Sequence, residues 1–402
     1  MSSISRTTKL ISWLCIFVTQ SAIADLLPIG VSLNMSGKDA QYALEFKNGI
    51  DAYLKAANKS KRFDGYKIKL IAMDDFGKAH RSMSNVKRLV KQKKVLAILS
   101  NHPQSLVEQT LPLATKHKTL FLSSGFAIDG LSRKESDYSA FLASTPSELR
   151  GDLGLVFEDA SNVFILSEGQ ALASQWRTFF QARSPKSIKE FNSVEALEQA
   201  LTKNAVVISN EQFLTSANHV SELLTHPSSP KFLILPESGA TLFNRAIAWQ
   251  VAEQHKQRIF YLNTVPLHKT GLKLIRQFKR DMTALNPKAL TSHQALKGYV
   301  LTMLTVESIY HSVKGIQTDS LIDVATLPFQ VLDQVVGWVS RAGGDISGEV
   351  VADAFARMKN HNIGANQLIS VDKSRELFNY LWLTQTNQQN QFVELSQLER
   401  KL

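Results

Sequence analysis

The sequence predicts an α/β fold of two lobes, each a mostly parallel sheet flanked by helices. Three observations carry that expectation. From Asp25 onward, short apolar runs of strand length alternate with segments whose apolar residues recur at helical spacing. The rhythm completes four units and restarts near Leu149. Finally, 402 residues, 44% of them hydrophobic and 20% charged, are enough to bury two cores.

The first lobe is expected to open with a strand at Ile29–Leu33, then a helix burying Phe46, Ile50, Tyr53, Leu54 and Ala57. A strand at Tyr66–Met73 leads to a helix with Ala79, Met83, Val86 and Val90 on its inner stripe. Val95–Leu99 reads as a buried strand, Gln104 to Lys116 as a helix, and Thr119–Leu122 as the fourth strand. The second lobe is read as a helix near Leu149, a strand at Val163–Leu166, and a helix whose Trp176, Phe179 and Phe180 belong to the core. Strands at Ala205–Ser209, Phe232–Leu235 and Ile259–Leu262 continue it. Two long helices between Lys269 and Val313 follow, then a helical stretch from Pro328 to Met358. A strand pair between Gln367 and Leu395, joined by the polar loop Thr386 to Gln391, closes the chain.

Residues 1–24 are read as a secretory signal peptide. Arg6 and Lys9 precede an apolar run from Leu10 to Val18, and the small-residue triplet Ala22-Ile23-Ala24 follows. That run is far short of the roughly 20 residues that span a bilayer. Cleavage after Ala24 leaves 378 of the 402 residues and removes the single cysteine, Cys15, which follows the bulky Leu14 inside the run rather than a small residue at its end. The mature chain then has no thiol, which excludes disulfides, cysteine–zinc sites and a cysteine nucleophile. No later segment is apolar enough to cross a membrane.

The formal charge of +11 falls by two, for Arg6 and Lys9, to +9. A basic surface favours acidic partners, and export makes nucleic acid an improbable one. The densest patch, Lys87, Arg88, Lys91, Lys93 and Lys94, is read either as a solvated helix face or as a docking surface.

In open parallel sheets, ligands sit beyond the carboxyl ends of the strands, against loops and helix amino termini. Those loops are rich in small polar residues here. Ser36 follows the first strand; Asn101, His102, Gln104 and Ser105 follow the third; Ser123 and Ser124 follow the fourth. The matching loops of the second lobe hold Glu168 and Gln170, then Asn210, then Glu237. Hydroxyl and amide donors beside a helix dipole suit a carboxylate, and Glu168 or Glu237 suits an ammonium group. Helix capping explains any one such loop without a ligand. Repetition at one topological end of both lobes is what capping alone does not explain.

At this point the chain resembles the type I periplasmic solute-binding proteins of the leucine/isoleucine/valine family. The resemblance rests on Ile29-Gly30-Val31-Ser32-Leu33-Asn34-Met35-Ser36-Gly37, Asn48-Gly49-Ile50, Lys69 to Asp75, Val95 to Ser105, Leu111-Pro112-Leu113-Ala114, Ser144-Thr145-Pro146-Ser147, Tyr299, and the closing Phe392 to Leu395. It implies two Rossmann-like lobes joined by three crossovers, a Venus-flytrap closing on a solute. The crossovers fall near Ser144 to Pro146, Asn263 to Pro266 and His361 to Asn366. The expected lobes are 25–144 with 265–362, and 145–264 with 363–402.

The resemblance also implies a periplasmic location in a Gram-negative bacterium, an amino acid-like small-molecule ligand, an ABC permease as partner, no cofactor and no catalysis. Two departures stand out. The third-strand loop reads Ser100-Asn101-His102-Pro103-Gln104-Ser105 where amino-acid-binding members carry glycine and a small hydroxyl residue. Ser167-Glu168-Gly169-Gln170 replaces the usual aspartate, tyrosine and glycine, so an aromatic that packs on the ligand is missing.

Catalytic motifs of the G-x-S-x-G, Walker, G-x-G-x-x-G and H-E-x-x-H kinds are absent from the sequence. His102 is read as a ligand contact or as a solvent-facing loop residue. Asp74-Asp75 is read as capping the next helix and solvating its loop. Two other roles for the same fold are a sensor reporting to a membrane receptor, and a scaffold that regulates a cell-envelope enzyme.

Overall fold

The computed structural model describes residues 25–36, 40–60, 62–63, 66–128, 131–143, 149–150, 154–166, 174, 176–179, 187–209, 222–228, 230–234, 257–266, 271–320, 346–359, 361–365, 368–369, 371, 377–378, 380–386 and 392–400. The first sheet has five parallel strands: β1 (Asp25–Leu33), β2 (Tyr66–Asp74), β3 (Ala97–Ser100), β4 (Leu120–Phe126) and β5 (Ser139–Ala143), in the order β2-β1-β3-β4-β5. Its central strands are buried on both faces, as the continuous apolar runs require.

Helices α1 (Ala40–Lys59), α2 (Ala79–Lys91), α3 (Gln104–Lys116) and the short α4 (Arg133–Asp137) connect these strands. The second sheet has eight strands: β6 (Leu149–Arg150), β7 (Asn162–Leu166), β8 (Ser187–Phe191), β9 (Ala205–Ser209), β10 (Lys231–Ile234), β11 (Ile259–Asn263), β14 (Tyr380–Thr386) and β15 (Phe392–Arg400). Their order is β6-β15-β14-β11-β10-β9-β7-β8. The run from β11 to β8 is parallel, and the pairings β11/β14, β14/β15 and β15/β6 are antiparallel. Short helices α5 (Gly154–Phe157) and α6 (Val194–Ala200) lie between its strands in the chain.

After β11 the chain returns to the first core as α7 (Lys273–Leu285), α8 (His293–Ser320) and α9 (Gly348–Ala356). The small pair β12 (His361–Asn362) and β13 (Leu368–Ile369) follows. Helices α1, α7, α8 and α9 bury their apolar faces with Leu27, Ile29, Val31 and Leu33 in one large core. Helices α2 and α3 pack Leu89, Val90, Val107 and Leu111 against Ile98, Phe121 and Phe141 on the opposite face. Two smaller cores, one holding Trp176 and Phe179 and the other Phe164 and Phe232, flank the second sheet. Phe180 lies outside the described residues.

Helix α8 crosses α1 at reciprocal glycines. A Cβ on Gly49 would sit 1.7 Å from the Ala295 carbonyl oxygen, and one on Gly298 would sit 2.1 Å from that of Phe46. Only hydrogen side chains allow the two backbones to meet. Although α8 is long and mostly buried, no helix among the described residues is long and apolar enough to cross a membrane.

Several expectations are corrected. Leu149 itself begins β6, because its backbone pairs with the end of β15 some 250 positions later in the chain, and the helix expected near it is α5, which leads to β7. Strand β5 was not read because its Ser-Ala-Phe-Leu-Ala sequence has no β-branched residue, although all five side chains are buried. Strand β8 was missed because only Ile188 and Phe191 of its five residues are apolar, as suits a sheet edge. Of the helical stretch from Pro328 to Met358, Gly348–Ala356 is helical and 328–345 lies outside the described residues.

Candidate functional site

Because β2, β1, β3 and β4 are neighbours and parallel, their carboxyl-terminal loops leave the first sheet along one edge. The register aligns Leu33 with Asp74, and Ser100 with Ser123. Ser36, Asn101, His102, Gln104, Ser105, Ser123 and Ser124 are thereby gathered at that end of the sheet. Glu168, Gln170, Asn210 and Glu237 lie outside the described residues. The strands before them, β7, β9 and β10, are adjacent, with Leu166 aligned to Ser209 and Ser209 to Ile234.

The two aspartates after β2 organise the first-sheet tips. Asp74 accepts hydrogen bonds from Met35 N (3.0 Å), Phe76 N (2.9 Å) and the Ser36 hydroxyl, fixing the loop after β1. Ser36 is exposed, and its hydroxyl serves that bond. Burial raises the Asp74 carboxyl, but these donors and then the Arg81 charge outweigh it and hold its pKa below the ordinary value.

Asp75 is 1% exposed. Its Oδ2 accepts from Ser32 Oγ at 2.8 Å and stands 3.2 Å from His102 Nε2, while Oδ1 accepts from Gly77 N at 3.0 Å. Desolvation raises this carboxyl, and the His102 hydrogen bond and charge, followed by Ser32 and Gly77, overcome it and leave its pKa lowered. Asn85 Nδ2 closes the network by donating to Ser32 Oγ (3.2 Å) and to the Asp74 carbonyl (3.0 Å).

Helix α2 is therefore not capped by either aspartate. Its N-cap is Lys78, which makes no side-chain cap bond. His102 is corrected in the same way: its side chain is 12% exposed and its Nε2 is held between Asp75 and Ser82 Oγ, 3.0 Å away. The imidazole does not face solvent, and that nitrogen already has protein partners. Sequence reasoning missed Ser32, Ser82 and Asn85 as its neighbours. The available signal was a pair of acids ending a strand just before a stretch of chain, Phe76 to Val107, that has no acid of its own.

Ser82, His102 and Asp75 have the residue types of a hydrolytic triad without its wiring. In such a triad the serine and the aspartate bind opposite ring nitrogens. Here both contacts fall on Nε2, so the ring cannot relay a proton between them.

The next loop differs from the capping explanation. The N-cap of α3 is Pro103, which has no side-chain acceptor, and no side chain caps the helix. Gln104 opens the helix at 7% exposure; its Nε2 donates to Glu108 Oε1 at 3.3 Å, and among the described residues its Oε1 has no partner. Asn101 is half-buried and Ser105 exposed beside it. Ser123 and Ser124 are 1% and 4% exposed and lie inside β4, which continues to Phe126, rather than in a loop after it. Gly125 N donates to Ser123 Oγ at 3.3 Å, and Thr264 Oγ1 donates to the Ser124 carbonyl at 3.2 Å, tying the segment after β11 to this edge. The result is a helix amino terminus without a side-chain cap and with a buried acceptor, at the same end of the sheet as Ser123 and Ser124. Such a set has the donor and acceptor types that suit a small carboxylate or amide. No group of three or more His, Cys, Asp or Glu among the described residues is placed to hold a metal ion.

Residues 27–186 match the family described as periplasmic binding protein. Solved structures extend the likeness over nearly the whole chain. A possible leucine/isoleucine/valine-binding protein from Rhodopirellula baltica superposes with a TM-score of 0.73 at 17% identity, covering 94% of this chain and 98% of its own. The chain has the type I periplasmic binding protein fold. Two further type I binding proteins match it. The branched-chain amino acid transporter substrate-binding protein LivJ from Streptococcus pneumoniae, in complex with isoleucine, gives 0.67 at 15% identity over 92% of this chain and 100% of its own. A solute-binding protein of an ABC transporter from Rhodopseudomonas palustris, in complex with 3,4-dihydroxybenzoic acid, gives 0.66 at 15% identity over 94% and 98%. No curated protein matches the chain by sequence. The family resemblance read from the first strand and its loop is borne out, as is the α/β fold of two sheets flanked by helices.

Proposed function

We propose that the chain is an exported periplasmic solute-binding protein that captures a small polar solute, an amino acid or a related carboxylate or amide, between two lobes and delivers it to an ABC importer. The single observation that carries this reading is the amino terminus of α3. It has no side-chain cap, and Gln104 beside it buries a carbonyl oxygen with no partner among the described residues. Burying such an acceptor costs about 1–3 kcal/mol unless something donates to it. A solute's N–H or O–H meets that need, while the helix N–H groups receive its carboxylate.

The solved relatives lend support, since isoleucine and 3,4-dihydroxybenzoic acid both carry a carboxylate. Residues 1–24 serve as the export signal in this reading. One lobe comprises 25–144 with the chain from 265 to near Leu377, the other 145–264 with the chain from Tyr380 to 402. The last handover falls near Leu377 to Tyr380, because Ile369, Val371 and Leu377 pack in the first core and β14 joins the second sheet. Closure favours the permease because ligand stabilises the shut state.

Thermal shift of the purified protein against amino acids, amides, short peptides and small aromatic carboxylates tests the proposal. A true ligand at 100 times its dissociation constant stabilises the fold by about 2.7 kcal/mol. Silence across the whole panel defeats the solute reading and leaves the scaffold role.

A further inference from the structure

Helix α2 and its exit carry a charge pattern that solute binding does not use. From Phe76 to Val107 there are seven Lys or Arg residues and no Asp or Glu. Lys87, Arg88, Lys91, Lys93 and Lys94 are all exposed, and among the described residues none of them takes part in an ion pair. On the opposite face of the same sheet Lys47 pairs with Asp51 and Arg62 with Glu307, and the exposed Lys273 and Lys279 share α7 with Asp281.

The adjoining end of α3 adds Lys116 rather than an acid. Partial burial, and then the charges of Lys91 and Lys116, push the His117 imidazole below its ordinary pKa, as an uncompensated positive field does. The helix dipole accounts for one or two cations in a last turn, not for five. The acid on α3, Glu108, lies two turns back toward its start and accepts from Gln104.

We propose that the exposed face of α2, with Lys93 and Lys94 beyond it and Lys116 beside it, docks the protein on an anionic phospholipid surface. The face spans about 20 Å, from thirteen residues at 1.5 Å each. The exposed large hydrophobic side chains among the described residues are Leu26, Leu44 and Phe76; Phe76 precedes α2 and lies under the Arg81 guanidinium, 4.4 Å from its ring centroid, and none of the three falls between Lys87 and Lys94. A protein interface needs buried aromatic or aliphatic anchors at its centre. A purely cationic face needs only a dense negative surface, which lipid headgroups provide without shape complementarity. The proposal rests on the exported location argued above, since only there does the face meet a membrane as part of the transport cycle. Holding the protein at the membrane shortens its search for a permease.

The test is co-sedimentation of the purified protein, without added solute, with vesicles of phosphatidylglycerol and phosphatidylcholine or of phosphatidylcholine alone. Binding to the anionic vesicles only, released as salt rises, is the expected result. Each basic side chain near such a surface contributes about a fivefold factor, on the order of 1 kcal/mol. Lys87→Gln, Lys91→Gln and Lys93→Gln together therefore weaken partitioning roughly a hundredfold. Lys273→Gln, Lys279→Gln and Lys288→Gln, the same charge change on and after α7, leave it within about threefold, well under one such factor. All six residues are exposed, so circular dichroism is expected to show unchanged folds.

No binding to anionic vesicles, or equal loss in both triple variants, overturns the assignment. Retention on immobilised poly-glutamate with none on the vesicles overturns it in favour of an acidic polypeptide. None of these outcomes touches solute binding, which the thermal-shift panel reads separately.

Discussion

His102 Nε2 stands 3.2 Å from Asp75 Oδ2, joining the loop after β3 to the loop after β2 through a carboxylate that is 1% exposed. The two residues are 27 positions apart, and β1 lies between their strands in the sheet. The pair works as a strut. It fixes Asn101 and the start of α3 relative to the neighbouring tip, with Ser32, Ser82 and Asn85 bracing it.

Removing the carboxylate strands Ser32 Oγ, Gly77 N and His102 without their acceptor. Asp75→Ala is expected to lower stability by about 2–4 kcal/mol, the cost of several buried donors left unmet. His102→Gln, which keeps a donor of similar reach, is expected to cost about 1 kcal/mol. Urea unfolding of both variants checks this; an Asp75→Ala midpoint equal to that of the wild type refutes the strut.

The same pair sets a pH dependence. The folded-state pKa of Asp75 is depressed by His102, Ser32 and Gly77, so its stabilisation is fully present above the unfolded value of about 4 and is lost as pH falls through the folded value. Asp74 contributes with the same sign. Melting temperatures of the wild type are expected to fall as pH drops below about 4, and Asp75→Asn to flatten that fall. A variant with an unchanged acid slope contradicts the assignment.

The α1/α8 crossing depends on two missing side chains. Gly49→Ala and Gly298→Ala each drive a methyl group into a carbonyl oxygen of the partner helix. Each is expected to cost about 1–3 kcal/mol, through backbone displacement rather than loss of contacts. Because both act on one crossing, the double variant is expected to cost less than the sum. Additive losses in a double-mutant cycle would show the two contacts to be independent.

Beside that crossing, Tyr299 donates to Asp281 Oδ2 at 2.7 Å and meets the Tyr53 ring edge-on, centroids 5.0 Å apart. Tyr299→Phe keeps the ring contact and leaves a buried carboxylate oxygen short of a donor. A loss of about 1–3 kcal/mol is expected in denaturant unfolding, with the native circular dichroism spectrum retained.

At the solute edge, Ser105 is exposed at the second position of α3 and Ser124 is 4% exposed within β4. Ser105→Trp is therefore the clean probe. It is expected to abolish a ligand-induced thermal shift while leaving the unliganded melting temperature within about 2 °C, the range of a surface substitution. Ser124→Trp overpacks the first sheet and is expected to destabilise the protein even without ligand. A ligand shift that survives Ser105→Trp places the solute elsewhere.

The sequence by itself determined the alternation of strand and helix, the edge at which the polar tips of the first sheet gather, and the family resemblance. Period and β-branched content are local properties, and Ala205–Ser209 and Gln104–Lys116 show how closely they set element bounds. Tertiary structure alone decided that Leu149 belongs to a strand, that His102 turns inward to Asp75, and that Gly49 meets Ala295. Each of these is a contact between residues tens to hundreds of positions apart. Its energy appears only when another part of the chain arrives, and no local pattern records that.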